Sequence, residues 1–205
     1  MNKKVLVVVL VLVLAVGSVF AAKSDMKVGA QLGYGGRSIT QNDKTAGIKY
    51  SISNNGFYGA FTFEYGITDA VSVKAEAGIN TMGENIMTVK SDSRNNREGL
   101  RDYPPVNFAL FVGAMYNYVI NKELTAYGGA GIDILMGSTS KEKNSFNAGI
   151  GLGFELGASY KINKQFSVNV GGKFGWHFLN TNENYSNENI SNLTYKAYAG
   201  VTYSL

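Results

Sequence analysis

The chain has 205 residues, 45% hydrophobic and 17% charged, with 25 Gly, 13 Tyr, 11 Phe, 2 Pro and no Cys. The absence of cysteine excludes disulfides and thiolate metal sites. A formal charge of +4 is too small a bias to argue for nucleic acid, and removing a segment with Lys3 and Lys4 leaves only about +2. The length fits two small domains or a single β domain equally well, and abundant glycine and aromatics with scarce charge point to β-structure carrying close-packed or small-residue faces.

The N-terminus comes first. Asn2, Lys3 and Lys4 make a basic start, residues 5–16 are an unbroken apolar run, and residues 17–22 supply small side chains. This is the pattern of a secretory signal peptide spanning 1–21, with cleavage after Ala21 or Ala22. The competing reading is an uncleaved anchor, because the apolar span borders on membrane-crossing length. No stop-transfer charge cluster follows it. No later stretch is long and apolar enough for a transmembrane helix, so any further crossing must be made by strands.

Alternation with period two then begins. A first strand at 26–35 places Met26, Val28, Ala30, Leu32 and Tyr34 on one face and Lys27, Gly29, Gln31, Gly33 and Gly35 on the other. Residues 36–56 turn polar, although 48–52 could extend a hairpin. The second strand, 57–66, shows Phe57, Gly59, Phe61, Phe63 and Tyr65 outward, with Tyr58, Ala60, Thr62 and Glu64 inward. A tight connection leads to the third, 71–79, whose inward residues include Ser72, Lys74 and Glu76. A long polar segment, 80–105, follows.

The fourth strand, 106–118, alternates Val106, Phe108, Leu110, Val112, Ala114, Tyr116 and Tyr118 with a face holding Asn107, Phe111, Met115 and Asn117. A short turn leads to the fifth, 124–134, with Thr125, Tyr127, Gly129, Gly131 and Asp133 inward. After a polar loop at 136–145, the sixth strand, 146–160, has Phe, Ala, Ile, Leu or Tyr at every even position. Its odd positions carry Asn, Gly, Glu or Ser. The seventh, 166–178, shows Phe166, Val168, Val170, Phe174, Trp176 and Phe178 outward. An Asn-rich loop at 179–192 precedes the eighth, 193–205.

Long polar links follow the odd strands and hairpin-sized ones the even strands. A soluble sandwich also has many short strands, but its physics does not sort long and short loops to opposite ends. A barrel in an outer membrane does so, with short periplasmic turns and longer extracellular loops. Each strand is then long enough for a tilted crossing, which takes roughly 9–11 residues. Tyr65, Tyr116, Tyr118, Tyr160 and Tyr203 would form one aromatic girdle, and Tyr34, Phe57, Phe146, Trp176, Phe178 and Tyr195 the other.

With this pattern the chain resembles the small eight-stranded outer-membrane β-barrels, the group of the OmpA transmembrane domain and OmpX. The resemblance covers 26–205 and implies an all-β, antiparallel up-and-down transmembrane barrel over 25–205, residing in the outer membrane of a Gram-negative type envelope. Gly200, Tyr203 and Leu205 match the family's terminal assembly signal, implying outer-membrane lipids and the insertion machinery as partners. Many members end in Phe where this chain has Leu205.

The inward charges are Lys27, Lys74, Lys173 and Lys196 against Glu64, Glu76, Asp133 and Glu155. An eight-stranded barrel is only wide enough for side chains to fill it, and buried charges are costly unless paired. Balanced signs therefore suggest an internal salt-bridge network and no wide channel; small water pockets are the competing reading. Up-down threading puts Lys27, Glu64, Lys74 and Glu155 in the periplasmic half and Asp133 and Lys196 nearer the outside. Inward glycines leave room for Tyr58, Tyr127, Phe111 and Tyr198.

His177, the only histidine, lies inward near the outer rim. The residues that serve lipid A-modifying barrels cannot be matched here, since Phe178 and Leu179 follow it, so no catalytic, metal or cofactor residues are assigned. Lys90, Arg94, Arg97 and Arg101 make the second long loop basic. Two functions of different class stand at this point, with a lipid A-modifying barrel enzyme a distant third. One is a filled barrel presenting loops 36–56, 80–105 and 179–192 to a host or envelope surface; the other is a narrow pore for small or apolar solutes.

Overall fold

The computed structural model describes residues 25–43, 48–82, 85–91, 94–100, 106–138, 146–180 and 189–205. The segment assigned to a signal peptide lies outside them, as do the side chains of Lys90, Arg94, Arg97, Arg101 and Phe146. The described residues form ten strands: β1 Met26–Asp43, β2 Ile48–Gly66, β3 Val71–Met82, β4 Asn85–Ser91, β5 Arg94–Leu100, β6 Val106–Val119, β7 Leu124–Ser138, β8 Phe146–Lys161, β9 Phe166–Asn180 and β10 Asn189–Ser204. No helix is present among them.

Eight of these strands close an antiparallel ring. Each of β1, β2, β3, β6, β7, β8, β9 and β10 pairs with the next, and β1 pairs with both β2 and β10. Ala30 illustrates the closure, standing opposite Phe61 on one side and Val201 on the other. Ring closure leaves no sheet edge, so the wall satisfies its own main-chain polar groups, as a lipid environment requires.

Side-chain parity follows the alternation in the sequence. Leu32, Phe61 and Leu156 are 75%, 76% and 72% exposed on the outside, whereas inward Phe111 is 1% exposed. The three short turns share one device. Thr68 Oγ1 accepts a hydrogen bond from the Val71 amide at 2.9 Å, and Asn121 Oδ1 and Asn163 Oδ1 accept from the amides of Leu124 and Phe166 at 2.8 Å each. A short polar side chain thus takes up amides that the reversal frees, and these turns define one rim of the ring.

The polar segments 36–56 and 80–105 are, in large part, strand rather than loop. β1 and β2 stay paired out to Asp43 and Ile48. β4 continues β3's direction along β2, with Ile86 opposite Ser53, and β5 returns beside β4. These extensions carry no outward apolar stripe: beyond the lipid the apolar positions Ile48, Tyr50 and Ile52 fall on the register opposite to Phe57 and Phe61, with Ile52 standing across from Ile39 and Met87. The ladder persists while the stripe that faces lipid ends. Strands β10, β1, β2, β4 and β5 therefore continue as a sheet above the ring.

Candidate functional site

The inward face of the ring is the only place where charge is concentrated out of solvent among the described residues. Near the short-turn rim, Lys27 Nζ lies 3.4 Å from Glu64 Oε1. That same oxygen accepts from Ser72 Oγ at 2.7 Å, and Asn117 Nδ2 donates to Ser72 Oγ at 3.1 Å. This pair is partly open to water and sits apart from the other charges.

Midway up, Lys74, Glu76, Glu155 and Lys173 meet in one buried cluster. Lys173 Nζ is 2.6 Å from Glu76 Oε2 and 3.6 Å from Glu155 Oε2. Lys74 pairs with Glu155, and its Nζ is 3.8 Å from Glu76 Oε2. Every acid therefore sees both lysines. Glu155 and Lys173 are cross-strand partners on β8 and β9, whereas Glu76 and Lys74 reach them from β3, on the far side of the ring. The four ions brace the barrel across its diameter.

Phenols complete the cluster. The Tyr58 hydroxyl donates to Glu76 and the Tyr198 hydroxyl to Glu155, while the Tyr127 and Tyr198 hydroxyls lie 2.9 Å apart. Lys173 Nζ also sits 4.1 Å from the centre of the Phe111 ring. The inward glycines make this filling possible. A Cβ on Gly153 would lie 2.9 Å from Phe111 Cε2, and one on Gly171 would lie 2.6 Å from Tyr198 Oη. The desolvation of four ions is offset only because each carboxylate gains two ammonium partners and a phenolic donor.

Asp133 and Lys196, the two charges nearer the outer end, do not pair with each other. Asp133 Oδ2 lies 3.3 Å from His177 Nε2, close enough for an ion pair though off the line of the ring N–H. Lys196 stands in register with Lys173, and its Nζ lies 4.1 Å from the centre of the Tyr58 ring without a hydrogen-bond partner among the described residues. A cation over an aromatic face is stabilised without a carboxylate.

The phenols were legible in the sequence as filling, not as donors. The usable signal was the choice of Tyr rather than Phe at inward positions 58, 127 and 198, where Phe would fill the space without a polar atom needing a partner.

Around the rims, Tyr34, Phe57, Tyr116, Tyr118, Tyr160, Trp176, Phe178 and Tyr195 are exposed. Phe166 and Tyr203 stack edge-on at 5.0 Å, and Leu205 is exposed beside them at the chain's end. Tyr65 departs from the expected girdle. It stands on the outward register but is only 4% exposed, flanked by Met26 on β1 and Val73 on β3.

The lumen is unequal above and below the ion cluster. Below it, a cavity of about 380 Å³ opens at the short-turn rim; above, beside Lys196, Thr194 and Asn80, a pocket holds only about 10 Å³. No described residues form a group able to hold a metal ion.

A family model for the outer membrane protein beta-barrel domain matches residues 7–191. Among solved structures, Neisserial surface protein A is similar to this chain with a TM-score of 0.59 at 14% identity, over 90% of this chain and 100% of that one. The outer membrane protein OprG from Pseudomonas aeruginosa gives 0.54 at 14% identity, over 90% and 98%. The N-terminal beta-barrel domain of Pseudomonas aeruginosa OprF gives 0.52 at 12% identity, over 89% and 100%. At these identities the likeness is one of fold. No curated protein sequence matches the chain.

Proposed function

Because the chain belongs to the outer membrane protein β-barrel family and resides in the outer membrane, we propose that it is a sealed barrel serving surface contact, adhesion or envelope integrity rather than passage. The observation that carries this reading is the ion cluster of Lys74, Glu76, Glu155 and Lys173, which together with Phe111, Tyr58 and Tyr198 occupies the lumen between the lower cavity and the outer mouth. Opening a path would require separating buried ions whose attraction is weakly screened. No catalytic role is assigned. His177 and its acidic neighbour are buried on the inward face of the ring, and no third group that would orient a base stands with them among the described residues.

In this reading the exposed rings at the two rims anchor the wall at the headgroup levels. Gly200, Tyr203 and Leu205 are read by the insertion machinery, and a residue 1–21 signal peptide directs export. Contact with a host or envelope surface falls to segments 36–56, 80–105 and 179–192, the first two as tall hairpins.

Purified protein in planar bilayers is expected to give no large, long-lived openings. Such openings would favour the second reading, a narrow pore, to which the lower cavity lends its one supporting feature. Replacing residues 84–104 by a two-residue turn is expected to leave the heat-modifiable barrel intact and to abolish adhesion of expressing cells to an immobilised host surface. Undiminished adhesion would remove that hairpin from the contact.

A further inference from the structure

The ring has no edge, but the sheet that rises above it has one. Its order ends β2, β4, β5, and β5 pairs with β4 alone among the described residues. The β7–β8 pairing stops where Ser138 faces Phe146, and no described strand rises beside β5. An edge of this kind presents a row of main-chain donors and acceptors to any strand that comes alongside. Edges are ordinarily kept apart by charge, lysine above all. β5 carries Arg94, Arg97 and Glu98, charges of both signs, with no lysine and no proline.

Two copies of β5 can pair about a two-fold axis, and the sequence selects the register. Residues directly opposite in an antiparallel pair share a face. With the axis normal to the sheet, one residue of β5 must therefore stand opposite itself. Centring on Arg97 or on Glu98 sets like charges face to face. Centring on Asn95 pairs only residues 94–96 of each copy and matches no charges. Centring on Asn96 pairs residues 94–98 and sets Arg94 of each copy opposite Glu98 of the other. Opposite charges in that position attract, and like charges repel.

The axis also fixes where the second copy stands. The risen sheet continues the wall, so its normal points away from the barrel axis and lies along the membrane plane. A half-turn about that line inverts the barrel. We propose that β5 is a self-complementary edge through which copies of this chain in two apposed outer membranes pair, joining their risen sheets into one. This rests on the surface-contact reading and gives it a partner, a second copy of the chain. So short a pairing is weak singly, and many copies on each surface make it hold.

The chain has no cysteine, so Asn96→Cys places a single thiol at the two-fold axis. The test puts purified protein in two vesicle populations of different colour and reads bridging as two-colour aggregates. Bridging is expected, with a disulfide dimer of Asn96→Cys that joins protein of one population to protein of the other. Thr88→Cys, on β4, should give no such dimer. Arg94→Glu alone and Glu98→Arg alone should each lower bridging about tenfold. Vesicles of the one mixed with vesicles of the other should regain it, because the changed charges then match across the axis. The heat-modifiable band shows that each variant is folded. No bridging overturns the proposal, as does bridging indifferent to both charge changes, or a disulfide formed only within one population. Where bridging is absent but cells still adhere to a host surface through residues 84–104, the surface-contact reading stands without self-pairing. Where adhesion ignores that hairpin as well, the reading falls with it.

Discussion

Glu155→Leu is expected to be the most damaging single substitution inside the barrel, lowering folding free energy by about 3–5 kcal/mol. It removes the nearer partner of Lys74, one partner of Lys173, and the acceptor of the Tyr198 hydroxyl. Two buried ammonium groups are then left to share Glu76, with the Lys196 chain in register beside Lys173. The damage comes from uncompensated charge, not from lost volume, because leucine fills much of the glutamate's space. The double variant Lys74→Met/Glu155→Leu should therefore recover most of the loss, since it removes one ion of each sign and leaves Lys173 on Glu76. The measurement is the urea midpoint of the heat-modifiable band in lipid vesicles. A double variant as unstable as the single one would show that packing, not charge pairing, sets the penalty.

Leu156→Arg is expected to cost about 2–4 kcal/mol, while Tyr118→Arg should cost about 0–1 kcal/mol. Both side chains point outward and both are well exposed. They differ in depth. Leu156 lies midway along β8 between Leu152, which pairs with Trp176 at one aromatic rim, and Tyr160 at the other. Tyr118 is at the short-turn rim, where its replacement can reach the headgroups. A guanidinium at the midplane loses its hydration, and one at the rim keeps it. The same vesicle titration reads both variants. Equal and small effects would mean that the outer face meets water, and the lipid-facing wall would have to be abandoned.

The part of the fold that was legible in the sequence is the part solvated by two different media. Where lipid meets one face and the lumen the other, the chain alternates Phe154 with Glu155 or Ala75 with Lys74, and parity can be read residue by residue. Beyond the lipid the parity changes: Ser38, Thr40, Ser51 and Thr88 share one register and Ile39, Tyr50, Ile52 and Val89 the other, so the outward stripe that traces the lipid-facing wall stops before the ladder does. The inward charges were individually legible because each is an ion on an otherwise small-residue face. Their partners were not, because pairing across a ring depends on the angular separation of strands. Threading sets Asp133 and Lys196 alike nearer the outside, but height says nothing of contact, and the side chain Asp133 meets is His177. Tyr65 shows the same limit on the outside, since parity gives its direction and says nothing of how its neighbours cover it.

The diametric brace also constrains the order of assembly. Lys173 and Glu76 are 97 positions apart in the chain, and Lys74 and Glu155 are 81 apart. Hairpins of neighbouring strands can zip without these contacts, but ions held 81 positions apart must wait until the curling sheet brings its two halves together. Until then they require water, and an open sheet that carries them cannot be immersed in hydrocarbon. Dehydration of the interior and final entry into the bilayer must therefore coincide in one concerted event, with the last seam, between β1 and β10, zipping as the ions lose their shells.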